Sequence, residues 1–116
     1  MNRRKTIMIT DKDTEFATIE INLSPATIDE SYLSALGAQL EILLKHMFQG
    51  TFAPVSIRGT QTQISSFARA MGNERRYLQS FEKYGLNDPR TLGNRYKLER
   101  AIAGFERETG IKWPFK

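Results

Sequence analysis

The sequence predicts an α+β fold in a single domain spanning residues 1–116. Three observations lead there. Phe16 to Leu23 alternates apolar and polar residues, the period of a half-buried strand. Later stretches repeat apolar residues every three to four positions, the period of amphipathic helices. Strands and helices interleave, with no linker long enough to separate two domains. The predicted order is β-β-α-β-α-(α)-α-β. An N-terminal hairpin with one or two further strands forms a small mixed or antiparallel sheet, packed against three to four helices.

The hairpin comes from two β-type runs, Thr6–Thr10 and Phe16–Leu23, joined by the polar Asp11–Glu15. In the second run Ala17, Ile19, Ile21 and Leu23 share one side. A helix follows, with Thr27 to Glu30 in capping-box form. Tyr32, Leu36, Leu40, Leu43, Leu44 and Met47 make its apolar stripe, and Gly50 is placed to end it.

Val55–Arg58 is a short strand candidate. Thr60 to Gln63 is a second capping box, and Ile64, Phe67 and Met71 mark the buried face of the next helix. Gly72–Asn73 interrupts that stretch. It either runs on to Tyr84, with Tyr77 and Tyr84 flanking the basic stripe as stacking surfaces for single-stranded bases, or breaks there. The pair favours the break, which makes Tyr77, Leu78, Phe81 and Tyr84 a separate buried face. Gly85–Leu86 has the form of a Schellman ending. Asp88–Pro89 is an N-cap followed by proline at the first helical position, with Thr91 as the alternative cap. Leu98, Ala101, Ile102 and Phe105 face inward on the last helix, and Gly110 ends it. Ile111, Trp113 and Phe115 alternate in the tail, where Pro114 restricts them to an edge strand or an extended docking segment.

Composition narrows the function. Hydrophobic residues at 40% suffice for one core, and charged residues at 26% are ordinary for a folded domain. The absence of cysteine excludes a disulfide framework and cysteine metal sites. Neither a signal-type apolar run nor a membrane-length one is present, so a cytoplasmic location away from membranes is expected. The net charge of +4 is unevenly spread. Residues 1–57 hold five Lys/Arg against seven Asp/Glu, while residues 58–116 hold twelve against six. Such asymmetry bears on partners rather than on fold.

No catalytic constellation is visible. His46 is the sole histidine and sits where a helix C-terminus favours a cation. Asp11, Asp13 and Glu15 lack the glycine and further oxygen ligands of a calcium loop. Arg58–Gly59–Thr60 leads into a helix N-terminus, where anion binding competes with plain capping. No cofactor and no metal site is predicted.

The basic residues carry the remaining signal. Arg69, Arg76 and Lys83 are seven apart, with Asn73 and Ser80 between them, opposite Ile64, Phe67 and Met71. Lys97, Arg100 and Arg107 fall together opposite Leu98, Ile102 and Phe105. With Arg75 and Arg95 they form a candidate surface for phosphates or an acidic partner. Glu74, Glu82, Glu99, Glu106 and Glu108 lie close in sequence, and pairing at i,i+4 spacing would leave only a solvated helix face.

The stretches YGLNDPRT (84–91) and FERETGIKWPFK (105–116) resemble small uncharacterised accessory proteins of large tailed phages. The resemblance implies a binding role, in the host cytoplasm, and carries over no functional residue. The sequence therefore predicts a non-enzymatic module that binds a protein partner or a second copy of itself. Nucleic-acid backbone binding through the two C-terminal helices is the alternative.

Overall fold

A computed structural model describes residues 18–51 and 54–115. Five elements follow in order: β1 (Ile19–Asn22), α1 (Glu30–Gln49), β2 (Val55–Arg58), α2 (Gln61–Tyr84) and α3 (Pro89–Thr109). The fold is α+β, with helices predominating.

β1 and β2 pair in parallel, Ile19 opposite Val55 and Asn22 opposite Arg58. An antiparallel sheet is therefore not what the described strands form. Alternation identifies a strand but not its direction. Parallel neighbours need a crossover, and α1 supplies it. The expected first strand, Thr6–Thr10, and its loop of acidic residues lie outside the described residues. The outward-facing carbonyls of β1 are taken by α1: Gln39 Nε2 donates to the Glu20 oxygen at 2.7 Å, and the Tyr32 hydroxyl donates to the Asn22 oxygen.

α1 begins later than Thr27 suggests. Its N-cap is Asp29, whose carboxylate accepts from the Tyr32 amide at 2.9 Å. A short acidic side chain caps at least as well as threonine, and Glu30 adds negative charge to the first turn. Leu36, Leu40 and Leu44 are buried, and Gly50 ends the helix at φ 71° as expected.

α2 is one unbroken helix, so Gly72–Asn73 is not a stop. The Asn73 amide donates back to the Arg69 carbonyl at 2.8 Å. The buried stripe of Phe67, Ala70, Met71 and Glu74 runs through the glycine and on to Tyr77 and Leu78. That packing outweighs the roughly 1 kcal/mol that a mid-helix glycine costs. The Thr60 capping box is complete, with bonds of 3.1 and 2.9 Å. Gly85 adopts φ 90°, ψ 168° rather than a left-handed helical turn, and Leu86 stays about half exposed instead of folding back. α3 starts at Asp88 and Pro89; Thr91 is fully buried rather than a cap.

The tail is the docking segment, not a strand. Gly110 at φ 76° reverses the chain, and Ile111 and Trp113 bury completely or nearly so. The Trp113 ring stands edge-on to Phe105 at 5.1 Å and lies 6.3 Å from Phe67. Pro114 reaches α1, where a Cβ on Gly37 would be 3.5 Å from it. The core thus joins the sheet, α1, the tail and the inner sides of α2 and α3.

Candidate nucleic-acid interface

α2 and α3 form an antiparallel pair whose register two contacts fix. The Phe67 and Phe105 rings are 6.2 Å apart, and the Asn94 amide donates to the Ser80 hydroxyl. Counting from these anchors sets Arg69 level with Gly104, Arg76 with Lys97, and Lys83 with Arg90.

Helical periodicity then fixes the sides. On α2, Ser66, Ala70, Tyr77 and Ser80 point along the seam with α3, while Met71, Leu78 and Ile64 point to the core. Rotating the other way from the seam brings up Asn73, Arg69 and Arg76, then Lys83. On α3 the seam carries Ala101 and Asn94, and the core side carries Thr91 and Ile102. The opposite rotation brings up Glu108, then Lys97, Gly104, Gly93, Arg100 and Arg107. The helices run antiparallel, so both rotations lead to the same face, away from the sheet and tail. Arg69, Arg76, Lys83, Lys97, Arg100 and Arg107 are all exposed there.

Two predicted members fall elsewhere. Arg75 lies on the outer flank of α2 that it shares with Glu82. Arg95 lies on the far flank of α3, where its Nε is 3.3 Å from Glu99 Oε2. Ser80, expected between the cations, is buried in the seam.

Glu74, Glu82, Glu99 and Glu106 point away from this face, while the exposed Glu108 stays at its edge, between the seam and Lys97. Glu74 is buried and accepts from Trp113 Nε1 at 2.8 Å. Glu106 accepts from the Trp113 backbone amide at 2.9 Å. Among the described residues, the carboxylate–cation pairs within 4 Å are Asp88–Arg90 and Glu99–Arg95. Arg76 instead reaches Asn73 Oδ1 at 3.4 Å, and the Arg107 guanidinium lies 3.6 Å from where a Gly104 Cβ would stand.

The tyrosines divide. Tyr77 is half-buried and stacks with Phe81 at 6.5 Å. Tyr84 is covered by the Arg90 guanidinium, 3.5 Å from its centroid. Asp88 holds Arg90 there with contacts of 3.0 and 3.1 Å, and these bonds keep the Asp88 carboxyl below its ordinary range. Tyr96 is the one that sequence reasoning missed. It is 60% exposed, with the Arg100 guanidinium 5.7 Å from its ring. The available signal was its i,i+4 spacing from Arg100 on the side opposite Leu98.

The other candidates resolve as capping groups. His46 Nδ1 lies 2.6 Å from the Thr51 hydroxyl, and its carbonyl accepts from the Thr51 amide at 3.0 Å. At Arg58–Thr60, the box itself takes up the Gln63 and Thr60 amides, and Gln63 Oε1 also accepts from Ser24. No group of three or more His, Cys, Asp or Glu is arranged to hold a metal among the described residues. Nor is any described helix long and apolar enough to cross a membrane. Compared with protein-family models, curated proteins and solved structures, the chain matches none.

Proposed function

We propose that this protein is a non-enzymatic module that binds a nucleic-acid backbone on the outer face of α2 and α3. The observation that carries this reading is the convergence of Arg69, Arg76, Lys83, Lys97, Arg100 and Arg107 on one face. Two features of the sequence weigh against nucleic acid: a break in α2 and glutamates between the cations. α2 is continuous, and Glu74 and Glu106 turn to Trp113 while Glu82 and Glu99 lie on the flanks, which leaves Glu108 at the edge of the face. Cations seven apart on a helix stand about 10 Å from one another, so the face offers two rows of charge. Such rows neutralise phosphates and fix orientation without reading bases. The likeness of 84–91 and 105–116 to phage accessory proteins fits a binding role.

The test is an anisotropy titration of a labelled oligonucleotide at several salt concentrations. Six phosphate contacts on a single strand give log K a slope of about −4 against log salt. No binding at low salt, or binding indifferent to salt, removes the proposal.

A second reading keeps the protein partner or a second copy. Phe81, Leu86 and Leu92 are each nearly half exposed around the α2–α3 turn, a grouping suited to an apolar contact. Sedimentation across a concentration series tests self-association directly.

A further inference from the structure

We infer that the ligand of this face is single-stranded, and that Tyr96 of α3 is the platform on which a base stacks. The inference rests on the backbone-binding reading and narrows it.

Tyr96 projects from the exposed side of α3, 60% accessible. Arg100 follows one turn later, its guanidinium 5.7 Å from the ring, and Lys97 is adjacent. An aromatic ring beside cations is the combination that holds unpaired bases: the ring takes the base, the cations take the phosphates on either side. Leu92, one turn earlier and 46% exposed, extends the apolar surface. In a duplex the base faces are already stacked on their neighbours, so a ring standing on a convex helix has nothing to receive.

A second observation is independent of the charges. Gly93 lies within α3 and precedes Tyr96 by one turn. A Cβ built there meets nothing within 4 Å, and φ is not in the left-handed region. Nothing among the described residues asks for glycine there, and a glycine inside a helix is unfavourable relative to alanine. Gly72 on α2 is in the same position. Bare backbone beside an exposed ring lets a ligand approach closely.

The experiment compares labelled oligothymidylate, oligouridylate and a duplex of the same length, by anisotropy at low salt with the full chain. Single strands are expected to bind about tenfold more tightly than the duplex. Tyr96→Ala should weaken single-strand binding about tenfold and leave duplex binding unchanged, while Tyr96→Phe retains it. Gly93→Ala should raise the unfolding midpoint yet weaken single-strand binding. Equal affinity for strand and duplex, or a Tyr96→Ala effect shared by both, overturns the inference and leaves backbone binding standing. Absence of binding to every probe overturns both.

Discussion

The indole N–H of Trp113 donates to Glu74 Oε1 at 2.8 Å, tying the C-terminal tail to the middle of α2. The tryptophan is 2% exposed and the glutamate 4%. The bond gives a carboxylate on the inner side of a helix a partner in the core, and it gives a buried indole the acceptor it needs.

Burial raises the Glu74 carboxyl above its ordinary 4.5, and the Trp113 hydrogen bond opposes this only in part. Between the two values the folded state holds a proton that the unfolded chain has released. The stabilisation this gives is complete below 4.5 and is lost as pH rises through the folded value. Glu74→Gln keeps an acceptor for the indole without a charge, and is expected within about 1 kcal/mol of the parent at pH 7. Relative to that variant, the parent should gain stability as pH falls through the raised value. Glu74→Ala leaves the indole unpaired and should cost about 1–3 kcal/mol. Urea denaturation at two pH values measures all three.

Gly59 and Gly72 should respond oppositely to alanine. A Cβ on Gly59 would lie 2.9 Å from Gln63 Oε1 and 3.2 Å from Leu23 Cβ. Gln63 would have to leave the capping box, at a cost of about 1 kcal/mol. Gly72 has open space and helical backbone, so alanine there should add about 0.5–1 kcal/mol. Thermal melts of both variants check the signs.

Thr91 is fully buried, and among the described residues its hydroxyl has no hydrogen-bond partner. Valine has nearly the same shape and no polar atom to satisfy. Thr91→Val is expected to raise stability by about 1 kcal/mol. A loss of stability would show that the hydroxyl is bonded in solution.

The cations separate into face and flank, and binding should follow that division. Arg76→Ala should weaken oligonucleotide binding and reduce the salt slope by about 0.7 on a single strand. Arg75→Ala, one residue away but turned to the flank, should change neither. Arg95→Ala should behave like Arg75→Ala, because Arg95 already pairs with Glu99. Equal effects at positions 75 and 76 would remove the distinction.

Four helix boundaries that rest on local chemistry were legible in the sequence, while the Thr27 capping box and the Gly85–Leu86 ending were not what formed. Gly50, Thr60, Asp88–Pro89 and Gly110 act within a turn of themselves, and each does what its residue type suggests. Gly72–Asn73 misled because a local stop signal competes with a buried stripe that only the α3 partner completes. Strand direction was not legible either, since side-chain alternation is the same in parallel and antiparallel pairs. The candidate face was half legible. Spacing put the cations opposite the apolar residues of each helix. Their convergence depends on the register set by Phe67 with Phe105 and Ser80 with Asn94, which no single helix encodes. Ser80 falls in the seam rather than between the cations for that reason.

The tail also equips the molecule with its own optical probe. Trp113 is the sole tryptophan, lodged where α2, α3 and the tail meet. Its emission should shift to the red when the tail detaches, before or together with loss of helix. A ligand on the opposite face should leave the emission unchanged. Folding and binding can therefore be followed in the same cuvette, one by the indole and the other by a label on the oligonucleotide.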